Sequence, residues 1–146
     1  MTGSGNGTNT ITTERVVNAK RERVFEAWTD PVVLARWWGP KGFTNIIEHY
    51  DLRPGGYWDL IMHGPDGKDY HNHSVFVEVV VAERIVFDHV EPIHRFRTTV
   101  TFEDLGDKTR ILWRMAFASK EEYTKVSAFI TAANEENLDK LEHELS

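Results

Sequence analysis

The sequence predicts an α+β domain in which a curved antiparallel sheet of about seven strands wraps a long C-terminal helix, with two short helices after the first strand. Three observations carry this reading. Six strand-like segments follow one another between Ile46 and Phe117, joined by links too short for parallel crossovers. A stripe of helical period runs from Tyr123 to Leu145, and an isolated hairpin could not cover it. Seven strands is also near the size at which twisted sheets curl.

In chain order, Ile11 to Asn18 alternates loosely around Val16 and Val17 and reads as the first strand. Lys20 to Thr29 places Val24, Phe25 and Trp28 on one helical stripe. Asp30-Pro31 restarts the helix, Asp as N-cap and Pro at the first helical position, and Gly39-Pro40 ends it after Trp38. The strands then expected are Ile46–Leu52, Tyr57–His63, Tyr70–Val81, Ile85–Val90, Phe96–Phe102 and Thr109–Phe117. Pro54-Gly55-Gly56, Gly64-Pro65-Asp66-Gly67 and Gly106-Asp107 supply turns. Ser119 and Glu122 form a capping-box pattern, and the helix behind it is on the order of 39 Å long at 1.5 Å per residue. Met1 to Thr10 is polar and Gly-rich and reads as a flexible tail, leaving residues 11–146 as one domain.

Composition narrows the function classes. The chain has 146 residues, a single-domain length. It has no cysteine, which excludes disulfides, thiol catalysis and thiolate metal sites and fits a reducing cytoplasm. A net charge of −6 argues against a nucleic-acid partner. No apolar run reaches the roughly 18 residues of a membrane span.

Arg23 to Phe43, with its W-T-D-P and R-W-W-G-P blocks, is very similar to the opening of the AHSA1-like (activator of Hsp90 ATPase homologue 1-like) family. The similarity continues through Asp51–Gly56, Gly64–Gly67, Ala82–His89, Thr99–Asp104 and Leu138–Leu141. The resemblance implies the helix-grip fold of the START/Bet v 1 superfamily, with a cavity between sheet and long helix. Family members often carry Gly, or Gly with Trp, near Ala133-Asn134, where this chain has neither. Hsp90 is not expected as a partner, because ten polar N-terminal residues do not supply the namesake's separate chaperone-binding domain.

Seventeen aromatic residues (five Trp, four Tyr, eight Phe) are the strongest functional clue. Strand alternation puts Trp58, Leu60 and Met62 on one face, Phe96, Val100 and Phe102 on another, and Ile111, Trp113, Met115 and Phe117 on a third. If these faces look inward, they line the space under Phe129, Ile130 and Ala133. Of these, with Trp37 and Trp38 closing one end, the expected ligand contacts are Trp37, Trp38, Trp58, Leu60, Met62, Phe96, Trp113, Met115, Phe129 and Ala133, joined by Phe76, Phe87 and His89 on neighbouring strands. Taken singly, each aromatic is more simply core. Asp88 and His89 are adjacent on a strand and therefore point to opposite faces, so they form no dyad. His71 and His73 share a face in the manner of a zinc pair, but no third ligand is evident, and neither metal nor cofactor is expected. Glu78 interrupts the run of valines in its strand: Val75, Val77 and Val79 imply one inner face and Phe76 the other.

The expected function is non-catalytic binding of a small apolar or aromatic molecule, a lipid or polyketide, in a stress or detoxification setting. Two alternatives stay open: a cyclase- or hydrolase-type enzyme using the same cavity, and an interaction module or homodimer. The fold permits all three.

Overall fold

The computed structural model describes residues 9–91 and 95–146. Its elements are β1 (Thr10–Val17), α1 (Arg21–Thr29), α2 (Pro31–Trp37), β2 (Thr44–Tyr50), β3 (Tyr57–His63), β4 (Asp69–Val80), β5 (Arg84–Glu91), β6 (Phe96–Asp104), β7 (Thr109–Phe117) and α3 (Lys120–Leu145). The expected tail lies outside the described residues except for its end. There Asn9 O accepts from Phe117 N at 2.9 Å, and Thr10 already pairs with Ala116 in the sheet. Among the described residues, no helix is long and apolar enough to cross a membrane.

All seven strands form one antiparallel sheet in the order β1-β7-β6-β5-β4-β3-β2. Strands β2 to β7 form the expected meander, and β1 adds beside the last of them. The two short helices carry the chain from one edge to the other. Their junction is Asp30, whose carboxylate accepts from Val32 N at 3.0 Å while Pro31 opens α2.

Register shifts bend the sheet. One lies in β2 at Ile47/His49, one in β4 at Phe76/Glu78, and one in β5, where Val90 is the extra residue opposite His73/Ser74. Such bulges raise the local twist and re-aim side chains. The shift in β4 settles the conflicting periodicity: Ser74 and Phe76 face inward, the alternation slips at Val77, and Glu78 emerges on the surface paired with Arg84 at 2.8 Å. The hairpin between β4 and β5 turns at Ala82, held at φ 61° without a glycine, which is why turn chemistry gave no signal there.

The solid core lies under α1 and α2. Trp28 is its hub, meeting Trp37 at 4.9 Å, Trp113 at 5.2 Å and Phe102 at 6.0 Å between ring centroids, all edge-to-face. Val100, Phe102 and Ile111, expected as possible cavity wall, are instead fully buried in this core. The two short helices pack over that end of the sheet.

The long helix has two different halves. Ser119 Oγ accepts from Glu122 N at 3.1 Å, as the capping pattern predicts. From Tyr123 to Ala133 no residue is fully buried, whereas Asn134, Asn137, Leu138, Leu141 and Leu145 all are. The second half is also tied down electrostatically. Arg15 on β1 reaches Glu135 at 2.6 Å, Asp139 at 2.7 Å and Glu142 at 2.8 Å, and Arg36 meets Glu144 at 2.7 Å. Partial burial pulls the Arg15 pKa down, but its hydrogen bonds to Asp139, Glu135 and Glu142 outweigh that and hold it above the usual value.

Candidate functional site

The strands diverge from α3 ahead of its buried half, and the gap between them is a cavity of about 500 Å³. Its sheet wall comes from the inner faces of β3 to β7. Its helix wall is Phe129, Ile130, Ala133, Asn134 and Asn137, and the chain after α2 closes one side with Gly39, Pro40 and Phe43.

Eleven of the thirteen expected contacts line this space: Trp38, Trp58, Leu60, Met62, Phe87, His89, Phe96, Trp113, Met115, Phe129 and Ala133. Phe129 is 70% exposed, which places it at the mouth. Trp38 sits between two walls, its ring 5.1 Å from Trp58 and 5.7 Å from Trp113.

Two expected residues do not reach the cavity. Trp37 points into the core, fully buried, with Nε1 donating to Ala27 O at 2.8 Å. Phe76 lies beyond the cavity floor, stacked behind Trp58 at 6.5 Å and edge-on to Tyr50 at 5.4 Å. In both cases a neighbouring aromatic, Trp38 or Trp58, occupies the lining position.

The polar part of the lining is uncharged. His89 Nε2 donates to Asn72 Oδ1 at 2.9 Å, and its ring stacks on Phe96 at 4.6 Å and 7°. Asp88, as alternation requires, points outward and pairs with Arg97. Asn137 Oδ1 accepts from Gly39 N at 2.7 Å, fastening α3 to the chain after α2. Asn134 Nδ2 donates to Thr13 Oγ1 at 3.2 Å and to Met115 Sδ at 3.4 Å. Ser74 and Thr98 add hydroxyls, and Tyr70 and His71 stand at the rim. Among the described residues no Lys, Arg, Asp or Glu contributes to the lining.

Asn134 and Asn137 were not expected here. The available signal was an i, i+3 pair of amides breaking the apolar stripe between Ile130 and Leu138, on the face that must be buried. His73 lies on the outer face, its Nδ1 hydrogen-bonded to Asp59 Oδ1. Among the described residues no group of three or more His, Cys, Asp or Glu is arranged to hold a metal ion.

Comparison with known proteins agrees with this architecture. The sequence model of the family described as "Activator of Hsp90 ATPase homolog 1-like protein" matches residues 18–146. A protein from Arthrobacter aurescens, solved by NMR in solution, superposes with a TM-score of 0.88 at 24% identity, covering 94% of this chain and 86% of its own. A crystal structure from Nitrosomonas europaea gives 0.87 at 19% identity with 96% of both chains covered. CalU16 from Micromonospora echinospora gives 0.69 at 21% identity, covering 94% of this chain and 76% of its own. No curated protein matches the chain significantly.

Proposed function

Since the chain belongs to the activator of Hsp90 ATPase homologue 1-like family, whose solved relatives share its fold, we propose that it is a small-molecule-binding protein whose cavity takes one uncharged, largely aromatic molecule. The observation that carries this reading is the lining: eight aromatic side chains around about 500 Å³, with no Lys, Arg, Asp or Glu among the described residues that line it. Ligand pockets of roughly 300–1,000 Å³ are typically apolar with a few orienting polar groups, and this cavity has that composition. A charged ligand would lose its hydration without gaining a countercharge, which costs several kcal/mol or more. An apolar ring system loses nothing comparable and gains edge and face contacts from Trp38, Trp58 and Trp113.

The test uses N-phenyl-1-naphthylamine, an uncharged fluorescent probe. One equivalent binds per chain, with blue-shifted emission and quenching of tryptophan fluorescence. Ala133→Trp fills the cavity from the helix wall and removes binding, with the circular dichroism of the fold retained. A folded wild-type protein that takes up no probe would mean the space is not a binding site.

A further inference from the structure

Two polar groups of the cavity wall make no hydrogen bond among the described residues, and both belong to residues that are buried. Asn134 is 4% exposed; its Nδ2 is engaged by Thr13 and Met115, while its Oδ1 accepts no hydrogen bond among the described residues. Ser74, also 4% exposed, stands on the sheet wall and likewise makes no side-chain hydrogen bond among the described residues. Thr98 Oγ1, at the cavity wall one strand beyond Phe87, and the indole N–H groups of Trp58 and Trp113 are buried without a partner among the described residues. Buried polar atoms in folded proteins are almost always satisfied, so groups left open on a cavity wall mark where a ligand's polar atoms belong.

The chemistry of these groups narrows the ligand. An amide oxygen can only accept, so Asn134 calls for a ligand that donates a hydrogen. Serine and threonine hydroxyls can donate in return. A neutral hydroxyl on an aromatic ring meets both needs at once; a hydrocarbon meets neither. A carboxylate offers no hydrogen to Asn134 and brings a charge that nothing in the lining neutralises. We infer that the cavity selects an uncharged aromatic alcohol, a phenol in the simplest case, with Asn134 Oδ1 accepting its O–H and Ser74 placed for a second oxygen. This rests on the binding function proposed above and adds the ligand's polar chemistry to it.

Three compounds with the same ring system test it by displacing N-phenyl-1-naphthylamine: naphthalene, 2-naphthol and 2-naphthoate at pH 7.5. The expected order is 2-naphthol over naphthalene by about tenfold, the scale of one well-made buried hydrogen bond, with 2-naphthoate weaker than both. Asn134→Leu, with the same number of side-chain heavy atoms and the same branching, removes the preference for 2-naphthol over naphthalene. Contact is also read in the wild-type protein, where 2-naphthol shifts the Asn134 side-chain carbonyl carbon resonance in the direction of a new accepted hydrogen bond, and naphthalene, acting through its ring current alone, does not. That measurement stands even if the variant fails to fold. Probe binding with no discrimination between naphthalene and 2-naphthol would overturn the inference while leaving the binding function intact. A preference that survives Asn134→Leu would overturn the role of Asn134. If none of the four compounds bound, both would fall.

Discussion

Trp37 and Trp38 are adjacent in sequence and serve different ends. The first fills the core beneath α1 and hydrogen-bonds Ala27 O; the second stands between Trp58 and Trp113 at the cavity wall. Their roles are separable by substitution. Trp37→Phe removes a buried hydrogen bond and part of a ring, and lowers unfolding free energy by about 1–3 kcal/mol with probe affinity unchanged. Trp38→Leu has a smaller effect on stability and weakens probe binding at least fivefold. Urea denaturation and fluorescence titration of the two variants check this; equal effects of both on affinity would contradict the placement of Trp37. Neither assignment was legible in the sequence, because α2 ends at Trp37 and Trp38 continues in extended backbone, so helical periodicity does not fix where Trp38 points. Residues on strands were easier: Trp58, Leu60 and Met62 were placed correctly because alternation has a period of two. Where a bulge intervenes, as between Phe76 and Glu78, that period fails, and the sequence alone left two incompatible faces.

The element that decides the site is α3. Its apolar stripe made the helix legible, and Ser119 fixed its start. The stripe did not show that the helix is divided into a half that packs and a half that covers a cavity. That division depends on Arg15, which lies more than 100 residues away and clamps Glu135, Asp139 and Glu142. It also depends on Gly39 N reaching Asn137 and on Lys140 Nζ reaching Gly39 O at 3.2 Å. Burial lowers the Lys140 pKa, an effect partly offset by Glu136. Local opening free energy follows buried contacts and ties of this kind. Amide hydrogen exchange is therefore slow from Asn134 to Leu145 and distinctly faster from Tyr123 to Ile130. Arg15→Ala speeds exchange in the second half and leaves the first half near its wild-type rates. Uniform protection along α3 would show that the helix behaves as one unit and that the cavity wall is as firm as the core.

At the scale of the whole molecule, α3 is held to the rest of the fold by apolar burial at Leu138, Leu141 and Leu145 and by ion pairs at its margin, and pH separates the two. The hydrogen bond from Arg36 holds the Glu144 carboxyl below the usual carboxylate range. A carboxyl whose folded-state pKa is depressed contributes stability that is fully present above its unfolded pKa, about 4.3 for Glu, and lost as pH falls through the folded value. The same pair raises the Arg36 pKa, which has no consequence in this range because the guanidinium is charged throughout. Acidification has a competing effect: it first relieves the repulsion of a chain that carries −6 at neutral pH. A melting temperature followed in the wild type alone would mix the two effects. The comparison with Arg36→Gln isolates what this guanidinium contributes, first through its hydrogen bond to Glu144 and to a lesser extent through its attraction to Asp30. Between pH 7 and pH 5 the variant melts below the wild type by a constant, small margin, as suits a pair at the surface. Below about pH 4.3 that margin closes as Glu144 takes up its proton and has no charge left to pair. A margin that persisted unchanged to pH 3 would mean that Arg36 acts through packing of its side chain on α3 and not through Glu144.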